Sequence, residues 1–235
     1  MSEAGAAPLV QSYADGEALA KAASDLIATS LAGSLRSRGR AALVATGGST
    51  PAAAYRRLAA ADIDWARVDV TLSDERWVPP SAPESNERMV RAHLLAGPAA
   101  AARFTPLWSP LPTPDASAAA AEPAVAALAP FDVVLLGMGE DGHFASLFPG
   151  NPVLEQGLDP NGERLCIAVP PSEPAPPQAR ISLTLRALLQ AKAAIVLITG
   201  LGKRRTIEAA MAGADLPVRR LLQQTRTPVA ILWCP

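Results

Sequence analysis

Short unbroken apolar runs alternate with amphipathic stretches along most of this chain. Over residues 15 to about 36, Leu19, Ala22, Ala23, Leu26, Ile27, Ser30 and Leu31 recur at helical spacing, which predicts an amphipathic helix with Asp15 as its N-cap. Beyond Gly39 the period changes. Residues 41–45 form an apolar run that stops at Thr46-Gly47-Gly48-Ser49-Thr50-Pro51, and Pro51 suits the first turn of a helix continuing through Tyr55 and Leu58. Residues 68–72, 131–136, 193–199 and 229–233 read as further strands. Helices are predicted over 84–95, over 115–128, and after Gly200 around Lys203. The proline-rich stretches 106–114 and 170–177 read as surface loops.

Apolar strands alternating with helices predict an α/β class: an open, mostly parallel sheet with helices on both faces. Glycine-rich or charged clusters at 46–51, 73–76, 137–143 and 200–203 each follow a predicted strand. An open parallel sheet gathers the carboxyl ends of its strands at one crevice, so these four clusters are expected to meet there.

Composition narrows the ligand. Hydrophobic residues make up 49% of the 235, much of it alanine, which is enough for one sizeable core. Aromatic content of 4% argues against a platform for stacking bases. The net charge of -1, from 21 basic and 22 acidic residues, provides no polybasic field for nucleic acid or an anionic membrane. A small molecule is the expected partner. Composition fixes no oligomeric state, and a monomer is compatible with it. Cys166 and Cys234 stand far apart and suggest neither a zinc site nor a disulfide framework. The first ten residues show no signal peptide, and the apolar runs fall short of the ~20 residues of a membrane helix, so a cytoplasmic protein is expected.

Each cluster has a chemical reading and a bland one. Gly47-Gly48-Ser49 at a strand-to-helix junction lets backbone N–H groups approach an anion, but an isolated Gly-Gly is more readily an ordinary tight turn. It is not a Walker loop, because no Gly-Lys-Ser/Thr follows. Ser73-Asp74-Glu75-Arg76 is either a solvated turn or the seat of an arginine fork for phosphate or carboxylate, with Asp74 or Glu75 orienting Arg76 or meeting substrate hydroxyls. Lys203, in the first turn of its helix, opposes the helix dipole unless an anion is present, whereas Arg204 and Arg205 read as solvated. Of the two histidines, His93 lies within an amphipathic helix. His143 follows Gly137-Met138-Gly139-Glu140-Asp141-Gly142 at the predicted crevice. With no second histidine nearby to share a metal, a general base is the stronger role for it.

Together these motifs resemble the 6-phosphogluconolactonase family. The matching elements are GGSTP at 47–51, SDERWVP at 73–79, Ser85-Asn86, GMGEDGHFASLFPG at 137–150, RISLT at 180–184 and GLGKRR at 200–205. The resemblance implies a single Rossmann-like α/β domain over 1–235 that hydrolyses 6-phospho-D-glucono-1,5-lactone in the oxidative pentose phosphate pathway without a metal or other cofactor. His143 would activate water beside Asp141. Arg76 and Lys203 would hold the 6-phosphate, helped by Gly47, Gly48 and Ser49, while Asp74, Asn86 and Arg180 match motif positions on the substrate side. Ser146 reads as a structural or capping residue rather than a nucleophile.

Two alternatives stand beside this reading. Glucosamine-6-phosphate deaminases share a similar glycine-rich turn and Asp-Gly-His, but usually carry a glutamate just after the histidine and an Asp-Glu-Tyr segment. Here the positions read Ser146-Leu147-Phe148-Pro149 and Asp74-Glu75-Arg76-Trp77. A non-catalytic sugar-phosphate sensor of the same fold would usually sit in a larger regulator, and Asp141 with His143 favours catalysis.

Overall fold

A computed structural model describes residues 8–171 and 177–235 of the chain. Helix α1 (Gly16–Arg38) begins where the Asp15 carboxylate accepts a hydrogen bond from the Ala18 N–H. It ends at Gly39, whose φ of +71° lets its amide turn back to the Leu35 carbonyl. Between these caps, Leu19, Ala23, Ile27 and Leu31 bury one stripe of the helix, as their spacing predicts.

Seven strands form a wholly parallel sheet: β1 (Val10–Ser12), β2 (Ala41–Ala45), β3 (Val68–Leu72), β5 (Arg103–Phe104), β6 (Val133–Leu136), β9 (Ala194–Thr199) and β10 (Val229–Cys234). Their spatial order is β1-β10-β9-β6-β2-β3-β5. From β2 the chain builds outward through β3 to β5, then returns to the other side of β2 with β6. The winding therefore reverses between β2 and β6, and a crevice opens there at the strands' carboxyl ends. Both strands are buried along their whole length, which accounts for their unbroken apolar runs. The helices packed around the two sheets are α1, α2 (Pro51–Ala59), α3 (Asn86–His93), α4 (Pro114–Leu128), α5 (Leu154–Leu158), α6 (Leu185–Leu188), α7 (Leu201–Met211) and α8 (Pro217–Gln223).

A second, antiparallel sheet in the order β4-β8-β7 was not foreseen from the sequence: β4 (Asp74–Arg76), β7 (Cys166–Val169) and β8 (Arg180–Leu183). Residues 74–76 are thus a strand rather than a solvated turn. Ser73 joins the two sheets, with its N–H on the Ala45 carbonyl at 2.7 Å and its carbonyl taking the Leu183 N–H at 2.8 Å. Short strands β1 and β5 also escaped the pattern. Helix α3 starts later than predicted because Ser85 takes the N-cap, its hydroxyl accepting from the Arg88 N–H. In the proline-rich loops, Pro114 already belongs to α4, and residues 172–176 lie outside the described part.

At the opposite edge from the crevice, Asp132 just before β6 is fully buried, yet it sits among donors. The Ser34 hydroxyl, the Arg38 guanidinium at 2.5 Å, the Ala42 N–H at 2.8 Å and the Lys192 ammonium at 3.0 Å surround its carboxylate. Cys166 and Cys234 are free and buried, and burial pushes the Cys166 thiol up to about 12. Among the described residues, no helix is long and apolar enough to cross a membrane.

Candidate active site

A cleft of about 260 Å³ opens where β2 and β6 diverge, and all four sequence clusters reach it. Gly47, Gly48, Ser49, Asp74, Arg76, Asn86, His143, Arg180 and Lys203 line it, with Asp141 standing behind His143. A larger groove of about 790 Å³ lies at the other end of the sheet, beside Pro228 and Val229, but no titratable side chain among the described residues lines it. The sequence clusters and their titratable groups gather at the smaller cleft.

The loop after β2 is pinned from within. Buried Tyr55 on α2 donates its hydroxyl to the Thr46 carbonyl at 2.8 Å and accepts the Thr46 N–H at 2.7 Å. Burial pushes that phenol well above its ordinary range, so it stays protonated. Gly47 packs so closely on Asn86 that an added Cβ would lie 1.9 Å from Asn86 Oδ1. Glycine here is a requirement of packing, which the bland tight-turn reading does not explain. Asn86 in turn donates from Nδ2 to the Asp74 carbonyl at 2.8 Å.

Strand β4 sends its three charged side chains to different tasks. Asp74 is buried and accepts hydroxyls from Ser73 at 2.9 Å and Ser146 at 2.6 Å. Glu75 neither orients the Arg76 side chain nor meets the cleft. Its carboxylate takes the N–H groups of Arg76, Asn86 and Glu87 and the Ser85 hydroxyl, and so caps the start of α3. Burial raises its pKa, and these four donors oppose the rise. Arg76 donates from Nη1 to the Glu84 carbonyl, while its buried Nε has no partner among the described residues. Arg180 lies directly across the strand pair from Arg76, 3.6 Å from the Asp74 carboxylate, and its buried Nε likewise has no partner among the described residues.

His143 is held on three sides. Its Nδ1 stands 2.6 Å from Asp141 Oδ1, its N–H bonds the same oxygen at 3.2 Å, and its carbonyl accepts the Gly139 N–H at 2.9 Å. The Phe148 ring packs against the imidazole with centroids 4.3 Å apart. A Cβ on Gly139 would fall 2.3 Å from His143 Nδ1 and 2.4 Å from Asp141 Oδ1, so the glycine makes room for the pair. Partial burial pushes the Asp141 carboxyl up, but the hydrogen bond and charge of His143 outweigh it, and the carboxyl titrates below its ordinary value. Two further ties fix the loop: Thr206 donates its hydroxyl to the Glu140 carbonyl at 2.8 Å, and the Val218 N–H reaches the Gly142 carbonyl at 3.0 Å. Ala145, which lines the cleft, carries a positive φ of 49°, a strain of about 1–3 kcal/mol.

Lys203 faces the cleft from the first turn of α7, whose N-cap Gly200 supplies no side-chain bond. Its neighbours are occupied elsewhere: Arg204 pairs with Glu208 at 2.8 Å and stacks over Trp233, and Arg205 reaches the Leu201 carbonyl at 3.4 Å. His93 sits on α3 with Nδ1 3.4 Å from Arg56, away from the cleft. Among the described residues, no group of three or more His, Cys, Asp or Glu side chains could hold a metal ion.

Residues 14–233 match the family model described as glucosamine-6-phosphate isomerases/6-phosphogluconolactonase. The chain belongs to that family. A 6-phosphogluconolactonase of Caulobacter vibrioides is 47% identical over 224 residues, covering 95% of this chain and 96% of that one. The crystal structure of a 6-phosphogluconolactonase from Shewanella baltica superposes with a TM-score of 0.92 at 38% identity, covering 97% and 98% of the two chains. The Trypanosoma brucei 6-phosphogluconolactonase gives 0.81 at 27% identity, covering 97% and 96%. A monomeric glucosamine-6-phosphate deaminase gives 0.76 at 19% identity, a likeness of fold alone.

Two supports of the cleft carried no signal of their own in the sequence: Tyr55 showed only helix periodicity, and Phe148 stood unremarked within its motif. Glu75, expected to orient Arg76 or meet substrate hydroxyls, caps α3 instead. Ser146, expected to be structural or a cap, is structural: its hydroxyl ties the His143 segment to Asp74.

Proposed function

We propose that this protein is a 6-phosphogluconolactonase, a lactone hydrolase that opens 6-phospho-D-glucono-1,5-lactone to 6-phospho-D-gluconate in the oxidative pentose phosphate pathway. The observation that carries the chemistry is the His143–Asp141 pair, set at the wall of a cleft that also presents two arginines, a lysine and the buried Asp74.

Asp141 accepts the Nδ1 proton, which fixes the imidazole tautomer and leaves Nε2 as the basic nitrogen. A water between Nε2 and C1 of the lactone loses a proton to Nε2 as its oxygen bonds to C1. The carbonyl electron pair moves onto the exocyclic oxygen. When that oxyanion collapses, the C1–O5 bond breaks, and O5 takes the proton from the imidazolium as a hydroxyl. The new carboxylic acid then ionises to the product. General-base help of this kind supplies ~10²–10⁴-fold. Arg76 and Lys203 hold the remote 6-phosphate, joined by the N–H groups of the Gly47-Gly48-Ser49 loop, and binding there aligns C1 with the water. Asn86 and Asp74 shape the sugar side of the cleft.

The test is a substrate pair: the purified protein should accelerate hydrolysis of the phosphorylated lactone above its spontaneous rate, and release no ammonia from glucosamine 6-phosphate. The reverse result would make it a deaminase.

A further inference from the structure

The developing negative charge on the lactone carbonyl needs a donor, and the geometry points to Arg180 as the group that binds that oxygen. This assignment rests on the lactonase reading above and adds to it a second group acting on the reacting atoms.

Arg180 is a buried cation whose surroundings do not use it fully. Its side chain is only 9% exposed and lines the cleft. The nearest carboxylate, Asp74, stands 3.6 Å away, well beyond the 2.7–2.9 Å of a charge-assisted bond. Asp74 is already engaged by the Ser73 and Ser146 hydroxyls, and Ser146 is itself 3.5 Å from Arg180 Nη1. The Nε–H has no partner among the described residues. Buried donors are ordinarily satisfied, so an unmet guanidinium N–H at the wall of a cleft marks a place for an acceptor. Burial pushes the guanidinium down from its ordinary pKa; Asp74 opposes this, and Arg76 across the strand adds to it. The side chain is therefore a positively charged group held short of compensation, the preorganised state that favours an oxyanion.

Position separates Arg180 from the other cations. Its guanidinium lies over the Phe148 ring at 5.1 Å, and the His143 imidazole packs on that same ring at 4.3 Å. The base and this donor thus contact one and the same side chain, and both line the cleft. Arg76 is tied to the Glu84 carbonyl on the α3 side, and Lys203 stands on α7. Those two positions suit the far end of the substrate. Arg180 suits the end where water attacks.

The test compares steady-state hydrolysis of the phosphorylated lactone by the whole chain, wild type against Arg180→Gln, Arg180→Lys and Lys203→Ala. Arg180→Gln should lower kcat about 10²–10³-fold, the usual effect of losing one oxyanion donor, with KM nearly unchanged. Arg180→Lys should recover part of that loss. Inorganic phosphate should inhibit both Arg180 variants as it inhibits wild type, and inhibit Lys203→Ala more weakly. A raised KM with unchanged kcat, or a weakened phosphate inhibition in the Arg180 variants, would make Arg180 a phosphate ligand and overturn the assignment. So would an unchanged rate. Should Arg180→Gln fail to fold because Asp74 is left unpaired, Arg180→Lys keeps a cation beside that carboxylate and carries the same comparison. A wild type without lactonase activity would instead defeat the broader reading, so the two failures are distinguishable.

Discussion

His143 Nδ1 and Asp141 Oδ1 lie 2.6 Å apart, although only Gly142 separates the two residues in sequence. Such closeness requires a sharp turn, and Gly142 supplies it with a φ of +79°. The pair is thus built locally, by the turn itself, and then clamped from outside by α7 and α8 through Thr206 and Val218.

Replacing Asp141 by Asn should keep the turn but present an amide where a carboxylate fixed the tautomer. We expect kcat to fall by about 10²-fold or more, with KM little changed, in steady-state lactone hydrolysis. The pH dependence of stability follows from the sign of the shift. The native carboxyl titrates below its ordinary value, so its stabilising effect is complete above the unfolded pKa of about 3.9. It is lost as pH falls through the native value. Acid unfolding should therefore be less steep in Asp141→Asn than in wild type.

Gly139→Ala tests packing rather than charge. The new Cβ would press on both members of the pair, at 2.3 Å from His143 and 2.4 Å from Asp141. Activity should drop at least tenfold while the circular dichroism spectrum stays that of wild type, because the displaced groups belong to the cleft and not to the core.

Asp132 offers a prediction that separates stability from function. Asp132→Ala removes the one carboxylate from between Arg38 and Lys192, leaving two cations and the buried Ala42 N–H without their acceptor. Because both cations reach solvent, the cost is chiefly that of the buried N–H left without an acceptor, about 1–3 kcal/mol, to be read from urea unfolding, with kcat unchanged in the folded fraction. Burial pushes this carboxyl up, but its four donors outweigh that and hold its pKa below the ordinary value. Its stabilisation is accordingly present above the unfolded carboxylate pKa and is lost as pH falls through the native one.

The phosphate end is checked by substrate choice. Lys203→Ala and Arg76→Ala should impair hydrolysis of the phosphorylated lactone far more than that of unphosphorylated glucono-1,5-lactone. Equal losses on both would remove these residues from the phosphate.

Much of this architecture was legible because the parallel strands β2, β3, β6, β9 and β10 are largely apolar runs, and the first four are followed by glycine or charge. The second sheet was not, for physical reasons visible in β4. Asp-Glu-Arg reads as a solvated turn, and only tertiary partners such as Ser146 and Ser182, far along the chain, make its burial tolerable. Glu75 depends on donors at 85–87 that periodicity cannot connect to it. Arg180 was found through its motif alone, since its position opposite Arg76 exists only once β4 and β8 pair. His143 was the reverse case. Its glycine-rich turn, its neighbour Asp141 and its place after a strand were all written locally.

The most direct measurement is lactone hydrolysis by wild type and His143→Ala at neutral pH, with the spontaneous rate subtracted. Removal of the base should reduce the enzymatic rate by about 10²–10⁴-fold in a protein that remains folded. Equal rates for the two proteins would contradict the central claim that His143 activates the attacking water.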